Sequence, residues 1–404
     1  MAVAVGATLS ACSGPAVPRS APAPSAHPGT SGTPPATTAA AGSTTTSRPA
    51  CTNLAVIDRW PVARRSARLV VAPVLDFGAA AMRAAVSAGA GGMVLLGTAA
   101  APADLAARIR GAGVAPAAAG GPLVMADEEG GGVQRLQPAV ASFAWPRDLA
   151  RTMTPAQVEA LAASVGRQML ALGVDVDLAP VLDVDGGAGP SASNPDGARS
   201  FSGNPSVVAA YGRAFVRGLT AAGVLSVVKH FPGLGGATGN TDVGPASTRP
   251  IATLRTVALP PVRSAIDAGA PAVMVADASV PGLTAAPASL SPAVIGGLLR
   301  GQLGFRGLVI TDSLSSGAVA GAGFGVEAAA VAAVEAGADM VMFGSTINGA
   351  QARLLAPAEV ASTVRGIAAA VAGAVASGAL PVTRLDDAVV HVLAAEHANL
   401  CAGG

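Results

Sequence analysis

Short, continuous apolar runs recur along the chain at Leu69–Val74, Gly92–Leu96, Leu123–Ala126, Val176–Val181, Leu225–Val228, Ala272–Val275, Leu308–Thr311 and Met340–Phe343. Continuity, rather than alternation with polar residues, is the pattern of strands covered on both faces. Most of the runs are separated by stretches with helical spacing. In one, Thr154-Pro155-Ala156-Gln157 forms a capping box with proline at the first helical position. Val158, Leu161, Val165 and Leu172 follow at helical intervals before Gly173 ends the run. Ser291-Pro292 opens another helix that ends near Gly304. Eight strands alternating with helices predict an α/β fold, a single-domain (β/α)8 TIM-type barrel. A doubly wound open sheet is the alternative, but no GxGxxG follows the first strand to support it.

Composition narrows the function. The 404 residues carry 25 basic and 24 acidic side chains, a net charge of +1, and are 51% hydrophobic but only 3% aromatic. Such a balance excludes a highly charged disordered protein and an electrostatic nucleic-acid binder. The mean hydropathy of +0.53 is carried by alanine and valine. Long uncharged stretches such as Ala84–Ala103 are broken by Gly89, Gly91, Gly92, Gly97 and Pro102, so no internal transmembrane helix is expected.

The N-terminus has a different character. Residues 1–12 are small and apolar and end in Leu9-Ser10-Ala11-Cys12, which resembles the lipobox of bacterial lipoproteins. In that family the chain is cut before the cysteine, which carries the lipid, so the resemblance implies a lipid anchor on Cys12. It also implies export to the outer face of the cell membrane or the cell envelope. The basic residues expected at the start of such a signal are missing, which a start codon set too far downstream would explain. Residues 13–50 are almost entirely Pro, Ala, Ser, Thr and Gly, with no carboxylate and no hydrophobic periodicity, and read as a disordered tether. Residues 51–404 remain for the folded part. Cys51 and Cys401 bracket it, and in an oxidising compartment they are expected to pair, with two separate thiols as the alternative.

Reacting groups of a barrel belong at the C-terminal ends of its strands. Here those ends carry Asp127-Glu128-Glu129, Asp183 with Asp185, Lys229-His230, Asp277 and Asp312, in a chain with only 12% charged residues. Lys229 is the only lysine. A strand-end aspartate commonly caps the next helix, but so many titratable groups at one mouth point to an active site.

The segments LVMADEEGGGVQRL (123–136), LAPVLDV (178–184), Arg199-Ser200-Phe201, VKHFPG (228–233) and ITDSLSSGA (310–318) resemble, in order, the motifs of family 3 glycoside hydrolases, in particular the single-domain β-N-acetylglucosaminidases. The resemblance implies that Asp312 is the nucleophile that forms a covalent glycosyl-enzyme with retained configuration. It also implies that Asp127, Arg135, Arg199, Lys229 and His230 hold the sugar's hydroxyls, and that the substrate is a carbohydrate with terminal β-linked GlcNAc from cell-wall fragments. No cofactor and no metal are expected.

Three departures stand out. The branch usually supplies its general acid/base as a histidine on a mobile loop after KHFPG, where this chain has Asp242 in LGGATGNTD. Asp242 is therefore the candidate acid/base, a turn aspartate being the plainer reading. Gly132 stands where the family often has arginine. Ser316 replaces the usual methionine and is expected to make the pocket floor more polar or roomier. Four functions follow. The first is an exported exo-β-N-acetylglucosaminidase, and the second another exo-β-glycosidase such as a β-glucosidase. The third is a sugar-binding lipoprotein with little turnover. The fourth is an aldolase-like enzyme using Lys229 as a Schiff base.

Overall fold

The computed structural model describes residues 53–191, 193–344 and 356–401. Cys12, Cys51 and the predicted tether lie outside them. Eight parallel strands close into a barrel in sequence order: Val70–Leu75, Gly92–Leu96, Leu123–Ala126, Val176–Asp177, Leu225–Phe231, Ala272–Val275, Leu308–Ser313 and Met340–Met342. The ring shuts where Val70 pairs with Val341 and Val71 with Met342. Nearly every strand residue is buried, as the continuous apolar runs require. Gly92 shows how full the interior is. A Cβ there would sit 3.0 Å from Met125 Cε and 3.2 Å from Met340 Cε, so two methionines occupy the space that a side chain would need.

Two strands differ from expectation in a way that matters for the site. The fifth runs on from Val228 to Phe231 and the seventh from Thr311 to Ser313. Lys229, His230 and Asp312 therefore lie within ordered strand rather than in the loops beyond it. The fourth strand is shorter than predicted. Pro180 has no N–H to give the ladder, and pairing resumes only at the isolated Val181–Lys229 bridge.

The helix Pro155–Leu172 has the predicted capping box, with Thr154 accepting from Gln157 N–H, and ends on left-handed Gly173. The segment after Ser291 winds wider than predicted. Ala293–Gln302 is a π-type helix whose end bonds Leu303 N–H to Leu298 O at 3.0 Å. Helix Pro357–Ser377 is long and apolar enough to cross a membrane by length and composition alone. It instead buries Val360, Val364, Ile367 and Val371 against its neighbours in the outer layer.

The N-terminal ends of the strands are tied by ion pairs. Buried Asp339, just before the eighth strand, binds Arg300 and Arg384 at 2.7 Å and His391 at 3.0 Å. Arg65 pairs with Asp386 and Arg68 with Glu396, and Asn53 bonds Ala398 O at 2.8 Å and Leu400 N–H at 2.9 Å. The two ends of the folded segment thus meet on the floor of the barrel. Cys401 is disulfide-bonded there; its predicted partner, Cys51, lies outside the described residues.

Candidate active site

Past the third strand the chain turns sharply, and that turn aims two carboxylates into the mouth. Glu128–Gly130 pairs antiparallel with Val133–Gln134. Gly130 (φ 105°) and Gly131 (φ 58°) make the bend, and a Cβ on Gly131 would lie 2.0 Å from the Trp145 ring, so the indole closes over bare backbone. Glu128 is the internal strut. It is wholly buried, accepts Leu136 N–H at 2.7 Å and Gln134 Nε2 at 3.1 Å, and burial raises its pKa to about 7. Trp145 also crowds Gly132: a Cβ there would stand 3.0 Å from the ring, so a larger residue would need the indole to give by a few tenths of an ångström.

Asp127 and Glu129, on either side of the strut, receive the cations. Lys229 Nζ lies 2.5 Å from Asp127 Oδ1 and 2.6 Å from Glu129 Oε1. Arg199 grips the same Glu129 with two bonds, Nε at 2.7 Å and Nη2 at 2.8 Å, the fork geometry that makes arginine specific. Burial opposes ionisation of Glu129, but Arg199 and Lys229 outweigh it and hold the carboxyl well below the usual range. Burial likewise lowers the Lys229 ammonium's pKa, and Asp127 with Glu129 more than reverses it. A fixed ammonium is the result, which removes the physical basis for a Schiff-base lysine, since that chemistry needs the neutral amine.

His230 is oriented from behind. Its Nδ1 is 2.7 Å from Asp183 Oδ2, and Asp183 also accepts the backbone N–H of His230 at 3.2 Å and of Leu234 at 2.6 Å. Burial, then Arg199, bring the imidazole pKa down to about 4, so the ring is neutral at neutral pH. With Nδ1–H assigned to the Asp183 carboxylate, Nε2 is left as an acceptor. Asp183, Asp196 and His230 bring three ligand-type atoms within 4.8 Å of one another, the spacing of a possible metal site. Protein donors already occupy Asp183, and burial, then Asp183, push the Asp196 carboxyl well above its usual range, which disfavours the charged form a metal ion would need.

Asp312, at the end of the seventh strand, accepts the N–H of Ser313 at 2.8 Å. Burial raises its pKa; His230 pulls it back and Asp242 pushes it further up. Beneath it lies buried Asp277, which accepts hydroxyls from Ser289 at 2.6 Å and Ser316 at 2.8 Å. Ser316 therefore does not make the pocket floor more polar, contrary to expectation. It is turned away from the cavity and also caps the helix Gly317–Gly321.

Asp127, Arg135, Arg199, Lys229, His230, Asp242 and Asp312, all singled out from the sequence, line one cavity of about 450 Å³. That is a size suited to a small ligand. In the sequence Glu129 is only one of three adjacent acids at a strand end, and Asp183, Asp196 and Asp277 carry no assigned role. Asp183 and Asp277 carried the same strand-end signal as Asp312. Nothing in the sequence marked Asp196.

Residues 79–395 match the model of the glycosyl hydrolase family 3 N-terminal domain. The chain belongs to glycosyl hydrolase family 3. It is 38% identical over 289 residues to the beta-hexosaminidase LpqI of Mycobacterium tuberculosis, spanning 68% of this chain and 69% of that protein. A family 3 glycosyl hydrolase from Mycobacterium smegmatis superimposes with a TM-score of 0.73 at 36% identity, covering 85% of this chain and 98% of the other. The beta-N-acetylhexosaminidase of Beutenbergia cavernae gives 0.71 at 30% identity, covering 83% and 98%. The protein is thus a glycoside hydrolase of family 3, and its charged cavity sits where a barrel enzyme of this class carries its chemistry.

Proposed function

We propose that this family 3 hydrolase is a retaining exo-β-N-acetylglucosaminidase that removes terminal GlcNAc from cell-wall fragments, exported and held at the cell envelope through a lipid on Cys12. The observation that carries the catalytic part is one cavity shared by Asp312, Asp242 and the Lys229–His230 pair. The relatives' hexosaminidase activity supports the sugar. The lipobox resemblance supports the location.

In this reading the terminal ring is held by charged hydrogen bonds. Lys229 and Arg199, bridged by Glu129, present donors to the hydroxyls, Asp127 and the His230 Nε2 present acceptors, and Arg135 adds a cation. Asp312 attacks the anomeric carbon while Asp242 gives its proton to the leaving oxygen. Water then attacks the glycosyl-enzyme, Asp242 takes that water's proton, and Asp312 leaves with its electron pair. Contacts that tighten as the ring flattens lower the barrier.

The test is a pair of variants on two substrates. Asp312→Ala abolishes hydrolysis of every aryl β-GlcNAc. Asp242→Ala keeps activity on an activated nitrophenyl-type leaving group, yet loses about 100-fold or more on an unactivated disaccharide. GlcNAc binding with no phenol release from activated substrates would replace the enzyme by a binding protein. Faster cleavage of the aryl β-glucoside than of the β-GlcNAc would replace the sugar.

A further inference from the structure

The segment carrying Asp242 is fastened at two ends. Asp242 O accepts Gly317 N–H at 3.0 Å and Thr241 O accepts Ala318 N–H at 2.9 Å, which fastens it to the first turn of the helix after the Asp312 strand. Its other end is fastened to the stretch after the sixth strand. Ser247 bridges Ser279 with hydroxyls 2.8 Å apart, and Thr248 N–H bonds Ser279 O at 2.9 Å. Inside the turn, the Asn240 side chain accepts Asp242 N–H at 2.9 Å.

Close contact makes this seat possible. A Cβ on Gly317 would lie 2.4 Å from both C and O of Val243 and 2.7 Å from Gly244 N, all backbone atoms that cannot turn aside. One turn on, a Cβ at Gly321 would meet the Pro245 ring at 2.6 Å. The helix is itself pinned, because its cap, Ser316, bonds Asp277.

We infer that Gly317 is a positioning residue for catalysis, its missing side chain letting the Asp242 turn lock onto the unit that carries Asp312. This rests on the reading of Asp242 as the proton donor. The acid is then preorganised against the nucleophile rather than delivered by a swinging loop, and a small displacement of the turn weakens proton donation while sparing attack.

The experiment compares Gly317→Ala with Asp242→Ala and with Gly239→Ala, where a Cβ would meet nothing within 4 Å. Expected for Gly317→Ala is a kcat loss of about tenfold or more on the unactivated disaccharide. On the activated aryl substrate kcat stays within about threefold, KM barely moves, and Gly239→Ala behaves as wild type. Equal losses on both substrates, or none, overturn the inference provided Asp242→Ala shows the leaving-group dependence. If Asp242→Ala lacks that dependence, the proton-donor assignment is what fails. Should Gly317→Ala fold poorly, amide exchange of the wild-type protein decides: the Gly317 and Ala318 N–H groups are expected to be strongly protected, and exchange at open-chain rates overturns the lock.

Discussion

Replacing Glu129 by glutamine tests the electrostatic core of the cavity. The carboxylate is 2% exposed and accepts three charged hydrogen bonds, two from Arg199 and one from Lys229, at 2.6–2.8 Å. Glutamine preserves the size but turns one acceptor into a donor, and both partners are donors only. Removing one member of a buried charge cluster costs about 3–5 kcal/mol, because the remaining charges stay buried and uncompensated. At about 1.4 kcal/mol per tenfold, that equals roughly 100- to 4,000-fold if it all falls on catalysis. Part of it falls on folding, so the assay pairs denaturant unfolding with kcat/KM on an aryl β-GlcNAc, and the two losses together should reach about 3 kcal/mol. A second signature fixes the cause. Glu129 is among the groups that raise the Lys229 pKa against burial, so its loss lowers that pKa and moves the alkaline limb of kcat/KM to lower pH. Wild-type stability, wild-type activity and an unmoved alkaline limb would refute the reasoning.

Two further outcomes follow from the same geometry. Asp312 must be ionised to attack, and Asp242 is one of the groups that raise its pKa. Asparagine exerts no such repulsion in any protonation state, so with Asp242→Asn the acid limb of kcat/KM on an activated substrate should stay in place, where the proton donor is already neutral, or move to lower pH; a shift to higher pH would contradict the arrangement. Gly131→Ala places a side chain at φ 58° against the Trp145 ring. It should cost about 2–5 kcal/mol, from the left-handed backbone and the displaced indole together, read as a lower denaturant midpoint.

Architecture was legible because the eight buried strands announce themselves as unbroken apolar runs, most of them separated by stretches with helical spacing. Boundaries were less so. Lys229, His230 and Asp312 are polar, so the apolar pattern stops before them, although hydrogen bonding to neighbouring strands carries the ladder past all three. The ligand-facing residues could be picked out because motifs and strand ends coincide. Their supports could not. Glu129 looks like one of three acids in a turn, and only packing reveals that Glu128 faces inward while its neighbours face the cations. Asp196 sits far from any strand end, and its partnership with Asp183 exists only once the chain has folded.

Lys229 is the sole lysine among 404 residues and is 4% exposed. Amine-directed chemistry therefore finds no side chain on the folded surface and is left with the α-amino group of the chain. An acylating or reductive-alkylating reagent that does reach Lys229 must have entered the sugar cavity and broken its contacts with Asp127 and Glu129. Mass measurement of that one adduct would then clock the opening of the site, with substrate occupancy slowing it.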